Sequence, residues 1–487
     1  MKIDKKLLGF SFITAFFLLL ICSKCSPLYP FNDWVDVHCF LTVGRGIKHG
    51  MVPYRDLYEQ KGPLLYFVVA LATMVSEISF IPLFAIEAAA FTAFIYHSMK
   101  IVFLWTESKA VYVAAPFVYM AILISTAFSY GFSAEELCLP FLAWTLRIIL
   151  THMRANKVLS KKDYFIIGIC AAVPFWTKYV FCGYYAGLAV VVALWYVRKG
   201  KAREILKAAV WAVSGLLLVT IPILIWYAAK GGLMDLFQAY FINNITGYSD
   251  SQDLTGTLMQ MLHVMFKENL LCVLCSLPGL VVLAMDMKKN SWEFMAIIAG
   301  LFMLVLFILF NRFFWPYYSF ILSLFVPLGL IAVGMIVGNR KVLSQSVTVS
   351  VISSMALALC TGIAYFRSPN TYLIGVAKDE LPQYSFAKIM HDKKENPTLL
   401  NYDFLDGGFY YAAGILPVNR FSCLFNVELP EQEAEQEQMI RDGVVDFVVT
   451  RDRNTIPGDK YQLIERQGFY SYPGYFDYYL FEKITAE

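Results

Sequence analysis

Largely apolar runs of 14 to 22 residues recur along the first three quarters of the chain. They lie near residues 134–152, 164–177, 181–197, 208–229, 270–285, 293–311, 317–338 and 345–366. A helix needs roughly 20 residues to cross the hydrocarbon core, and every backbone amide inside it must be satisfied within the segment. A membrane barrel would instead alternate polar and apolar residues. Continuous runs predict helices, and a mean hydropathy of +0.57 with only 16% charged residues leaves too little polar surface for a soluble chain. The net charge of +3 gives no footing to nucleic acid.

The start of the chain fits the same frame. Lys2, Lys5 and Lys6 precede "LLGFSFITAFFLLLICSKC". This resembles a signal peptide, but it lacks a clear small-x-small cleavage site and many spans follow it, so an uncleaved first helix is expected. Of ten cysteines, Cys22, Cys138, Cys170, Cys182, Cys272, Cys275 and Cys360 fall in or beside apolar runs, where cysteine behaves as a small hydrophobe. Cys272 and Cys275 have no second pair and no nearby histidine, so packing explains them better than zinc or redox chemistry.

Basic clusters set the expected orientation, because lysine and arginine are retained in the cytoplasm. They are "KIDKK" at 2–6, "RANKVLSKKD" at 154–163, "RKGKAR" at 198–203, "KK" at 288–289 and "NRK" at 339–341. With these inside, residues 26–62, 129–137, 230–269, 311–318 and everything after 367 lie outside. Apolar runs at 63–76, 82–104 and 110–128 are one too many for this scheme, so one of the three does not cross. The expected architecture is an all-α polytopic membrane protein of about eleven transmembrane helices, with the N-terminus cytoplasmic in the plasma membrane. Residues 1–366 form the membrane domain, including a first external loop at 26–62, and residues 367–487 form a small extracytoplasmic α/β domain. About half of the acidic residues lie beyond Arg367. There "TLLNYDF", "VVDFVVT" and "GYFDYYLFEKI" read as strands, and "DGGFYYAAGIL" and "LPEQEAEQEQMIRDG" as helices. The glutamates at 431–437 are the solvated face of the second helix.

The first loop is the largest polar element of the first half. On a helix, Asp36, Phe40, Val43 and Ile47 share one stripe, and His38, Thr42, Arg45 and His49 a second. Asp36 is then a carboxylate on the apolar side, where an ionised group is costly unless something uses it. Helix capping is the plainer reading, with Asp33 as the cap and Asp36 in the position of a capping-box acid. Further on, Arg55, Asp56, Glu59 and Lys61 gather before Gly62 and Pro63 turn the chain downward. Either base alone would simply snorkel to the headgroups. Both beside a candidate base suggest a phosphate held at the interface.

An early aspartate, a glycine about fourteen residues on, then "PYRDL" and "KGPLLY", resemble the first external loop of the GT-C class of polytopic glycosyltransferases, the group with protein O-mannosyltransferases and lipid A aminoarabinose transferases. The later features follow in the same order: "SAEELCLPF", a lysine in "FWTKYVFCGYY", an arginine and tyrosines in "NRFFWPYYSF", and a terminal domain. The layout extends over residues 1–366, and close matching is confined to 30–67. The resemblance implies inverting transfer of a sugar from a polyprenyl-phosphate donor, with membrane lipid around it, to an acceptor that is a glycan, lipid or protein. By position, Asp36 matches the family aspartate and Lys61 the lysine of its "KPP"-type motif. Gly62 stands where relatives often carry proline, and Val37 where an acid often follows the aspartate.

Inversion needs a base for the acceptor hydroxyl and a leaving group that departs from the opposite face. Asp36 is the expected base. Arg55, Lys61, Arg312 and Lys178, with Tyr54 beside them, are the expected phosphate-binding residues. Glu135 and Glu136 contact sugar hydroxyls, hold a divalent metal, or simply start a solvated helix, and no other cofactor is indicated. Asn244-Ile-Thr246 is a sequon on the external side. A transporter of a lipid-linked or small polar substrate is the main rival, yet no repeated halves are apparent and the charged constellation is at the external interface. A surface-polysaccharide polymerase or ligase would show a large basic loop in the second half, and residues 230–269 hold few basic residues.

Overall fold

The computed structural model describes residues 3–246, 253–312, 314–338, 346–427 and 429–484. Lys2 and the "NRK" cluster at 339–341 lie outside the described residues. The chain opens with α1 (Lys5–Cys22), α2 (Val35–Lys48), α3 (Pro63–Val75), α4 (Ile81–Val102) and α5 (Ala110–Leu123). It continues with α6 (Ala134–Arg154), α7 (Lys161–Phe175), α8 (Cys182–Arg198) and α9 (Arg203–Ala229).

Among the described residues, eight helices are long and apolar enough to cross a membrane. A ninth span arises if Leu254–Glu268 and Leu270–Met285, bent by 91° at their junction, count as one. The expected eleven include α5 and α7, whose 14 and 15 residues are shorter than a full crossing. Of the three runs between 63 and 128, α3 is the one best suited not to cross. Its 13 residues reach only about 20 Å. It packs along α2 so closely that a Cβ on Gly44 would come within 2.6 Å of the Val69 side chain.

By packing, the chain forms two compact units. The first comprises residues 1–23, 85–222 and 251–371 and is helical. Glycine permits backbone contact between its helices. A Cβ on Gly187 of α8 would meet the Ala299 carbonyl oxygen of helix Met287–Phe310 at 2.3 Å.

The second unit comprises residues 24–84, 223–250 and 372–487. Its C-terminal part is a four-stranded sheet of β1 (Leu399–Asn401), β2 (Phe447–Thr450), β3 (Tyr461–Ser471) and β4 (Gly474–Lys483), in the order β1-β2-β4-β3. β1 and β2 are parallel, and the other pairs antiparallel. Strand alternation places Phe447 and Val449 with Phe386, Met390 and Phe409, and Val448 on the opposite face with Met439 and Ile440. Both faces are therefore covered, one by helix Pro382–Lys393 and the other by helix Pro430–Asp442. The latter starts on proline and stops at Gly443 with φ 61°, and its Glu431, Glu433 and Glu437 are exposed as expected.

Candidate functional site

Helix α2 brings the candidate base into the second unit. Asp36 lies in its first turn, and all residues from 36 to 46 are buried. The helix follows Trp34 with no side-chain capping bond, so Asp33 does not cap it as the sequence suggested. Asp33 is taken by a stronger demand. The Lys24 ammonium, 1% exposed, sits 2.5 Å from its carboxylate, and the Tyr372 hydroxyl donates to the second oxygen. Burial alone would raise the Asp33 pKa, but the Lys24 charge and these hydrogen bonds outweigh it and hold the carboxyl below the usual range.

Why α2 is buried on both sides lies far along the chain. Its polar stripe is covered by the C-terminal segment: the Thr42 hydroxyl donates to Asp406 Oδ2 at 2.6 Å, and an Arg45 guanidinium nitrogen donates to the Tyr410 carbonyl at 3.1 Å. His38 bonds the Asn32 carbonyl at 2.6 Å and stacks on Phe31. Burial depresses the His38 pKa against the pull of Asp406, which keeps the ring neutral.

Lys61 reaches the same place from the following loop, its Nζ 3.9 Å from Asp36 Oδ2 with both side chains about nine-tenths buried. A short network fixes its backbone. The Lys61 amide donates to Glu59 Oε2 at 2.6 Å, Tyr66 donates to the same oxygen, and the Tyr54 hydroxyl donates to the Lys61 carbonyl at 2.6 Å. Tyr54 is fully buried with φ 70°, and its phenol holds the loop through that bond. Burial pushes the Glu59 carboxyl up to about 7, opposed by Lys61 and assisted by Asp36. Arg55 stands apart. Its guanidinium is partly exposed and bonds Asp56 twice at 2.8 Å and the Lys230 carbonyl at 2.5 Å.

The remaining candidates belong to the first unit. Lys178, between α7 and α8, donates to Glu135 Oε1 at 2.6 Å and lies 3.3 Å from the centre of the Tyr318 ring. Three separate sequence signals thus meet in one buried group. Glu136 closes a capping box with Ser133 at the start of α6, and its carboxyl also meets that of Glu87, itself bonded by Ser23. Arg312 is exposed at a turn with φ 54°. Among the described residues, no group of three or more His, Cys, Asp or Glu is arranged to hold a metal ion.

Two partners escaped the sequence reading. Glu59 was visible within the charged cluster, but its hydrogen bonds to Lys61 and Tyr66 were not. Asp406 gave no signal, because its link to Thr42 spans 364 positions.

Solved structures with the same fold include ArnT from Cupriavidus metallidurans bound to undecaprenyl phosphate. It is 12% identical with a TM-score of 0.62, over 98% of this chain and 97% of that one. The apo structure of the same protein aligns at a TM-score of 0.60 and 11% identity, over 91% and 92%. The GT-C architecture expected from the first loop is therefore the architecture of this chain, a multi-pass membrane protein with a small C-terminal sheet. No curated protein sequence matches it. Residues 3–350 match the family described as "Putative competence-induced protein Ccs4 N-terminal domain". Since that match extends over well more than half of its length, the chain belongs to the Ccs4 N-terminal-domain family.

Proposed function

We propose that the chain is a membrane glycosyltransferase that moves a sugar from a polyprenyl-phosphate donor to an acceptor on the outer face of the membrane, with inversion. Asp36 takes the proton of the acceptor hydroxyl, whose oxygen attacks the anomeric carbon as the bond to the lipid phosphate breaks on the opposite side. The phosphate leaves with the bonding electron pair and needs cations to receive it. Lys61 is the first of these. In the first unit, Lys178 and Arg312 are candidates for the same role. Arg55 joins them only by giving up Asp56. This orientation keeps the N-terminus cytoplasmic and the first loop and C-terminal sheet outside.

The observation that carries this reading is the buried contact between Asp36 and Lys61, a base and a phosphate-binding cation 3.9 Å apart. Supporting it is the full-length likeness to a protein solved with undecaprenyl phosphate bound. The test uses purified protein in detergent with lipid-linked sugars extracted from the native membrane. Wild type releases undecaprenyl phosphate and Asp36→Asn does not, although both insert and fold. Release that persists in Asp36→Asn removes the base from the mechanism. Because a detergent micelle has no sealed interior, release there also excludes the transporter reading.

A further inference from the structure

Three of the ten cysteines, Cys25, Cys39 and Cys423, lie outside the apolar runs, and all three belong to the second unit. Two of them meet. The Cys39 thiol donates to the Cys423 sulfur, although most of the chain lies between them. Cys25 is engaged elsewhere and accepts from Asn32 Nδ2 at 3.3 Å.

Other bonds hold the two segments together without help from the thiols. Cys39 lies on α2 one turn after Asp36 and one turn before Thr42, whose hydroxyl donates to Asp406 Oδ2 at 2.6 Å. The Asp406 amide in turn donates to the Cys423 sulfur. Around Cys423, the Leu424 amide donates to the Phe404 carbonyl at 3.1 Å and the Tyr410 hydroxyl to the Ser422 carbonyl at 2.8 Å. Phe421 and Phe425 pack on the Tyr58 ring, with centroids at 5.2 and 5.4 Å. The sulfurs thus need only to close from hydrogen-bond contact to a bond of about 2 Å. Among the described residues the pair belongs to no group of three or more arranged to hold a metal ion, so metal binding does not explain it.

We propose that Cys39 and Cys423 form a disulfide that clips the C-terminal segment onto α2 outside the membrane. The outward placement rests on the orientation given above, whereas the pairing does not. The oxidant is a small-molecule or protein disulfide of the kind an oxidising extracytoplasmic compartment supplies. The Cys423 thiolate attacks one sulfur of that disulfide and expels the other as a thiolate. Cys39 then attacks the Cys423 sulfur of the mixed disulfide and expels the second thiolate. The two cysteine protons pass to the departing thiolates, so the oxidant leaves as two thiols. Both sulfurs are buried in the closed structure, and burial pushes both thiols up. Exchange therefore takes place while residues 404–425 are still settling on α2.

The experiment quenches intact cells in acid, then denatures the full chain, alkylates it without reduction and maps it by mass spectrometry. Wild type yields a cross-linked peptide joining Cys39 to Cys423 and carries two fewer alkyl groups than after reduction. Cys25→Ala keeps the link, and Cys39→Ala or Cys423→Ala loses it. Alkylation of both cysteines in unreduced wild type overturns the proposal, as does a link from either one to Cys25. Purified protein with oxidised glutathione in detergent, where the oxidant reaches both faces, identifies the failed premise. A link that forms there but not in cells refutes the outward placement, and a link in neither refutes the pairing. Dithiothreitol lowers the melting midpoint of wild type and leaves that of Cys39→Ala unmoved; an unresponsive wild type overturns the clip. Asp36→Asn keeps the link, so a failed base assignment and a failed clip give different results.

Discussion

The Lys178 ammonium donates to Glu135 Oε1 at 2.6 Å while standing 3.3 Å from the centre of the Tyr318 ring. Their side chains are 9% and 1% exposed, so each charge depends on the other for compensation.

Lys178→Ala leaves a carboxylate buried without its cation and is expected to cost about 3–5 kcal/mol, read as a lower thermal midpoint in detergent. The double variant Lys178→Met, Glu135→Leu removes both charges and recovers most of that loss. If it is stable and supports the proposed transfer like wild type, Lys178 belongs to a structural pair and takes no part in the proposed donor site.

On the proposed function, Lys61→Ala weakens binding of a polyprenyl phosphate by about tenfold or more, the scale of one lost charge-assisted contact. Lys61→Arg retains part of it, because charge survives while the geometry changes. Titration by intrinsic fluorescence checks both. Indistinguishable affinities for the alanine variant and wild type would return Lys61 to an interfacial role.

Glu59 predicts a pH dependence. Its carboxyl is raised from 4.5 to about 7, so the stability it contributes is fully present below about pH 4.5 and is lost as pH rises through 7. Glu59→Gln mimics the protonated form and removes that dependence. The difference between wild-type and variant unfolding free energies changes by up to roughly 3 kcal/mol between acid and pH 8. Parallel curves across that range mean that the carboxyl does not titrate there.

Gly44 marks a close approach of α2 to α3. Its Cβ would meet Val69 Cγ1 at 2.6 Å and the Ala70 backbone nitrogen at 3.1 Å, so Gly44→Leu forces the helices apart at an expected cost of about 1–3 kcal/mol. Gly50→Ala, by comparison, meets no atom within 4 Å but needs φ 89°, and so perturbs only the turn. A melting midpoint for Gly44→Leu equal to wild type would show that this contact is loose.

Hydropathy made the helical spans legible because lipid imposes one requirement on every crossing segment. Local chemistry also fixed the helix at Pro430–Asp442, with proline at its start and glycine at its end. β3 and helix Pro382–Lys393 were not anticipated. β3 alternates poorly, with Glu465, Arg466 and Gln467 in succession, and it is held by pairing with β4. Within the candidate site, Asp36 stood out on the apolar stripe of its helix and Lys61 in the charged cluster, with the family resemblance pointing to both, but their mutual approach was not legible. Asp33 was misread because a capping residue looks the same in sequence whether or not a buried lysine claims it first.

The hold of Asp406 on Thr42 and of the Tyr410 carbonyl on Arg45 has a consequence for biosynthesis. A ribosome delivers α2 early and its coverings late, so the nascent protein spends most of translation with that helix incompletely clothed. On the proposed function, competence for transfer is thereby postponed until the last hundred or so residues have emerged. A product cut short by premature termination would insert many of its helices and leave α2 uncovered.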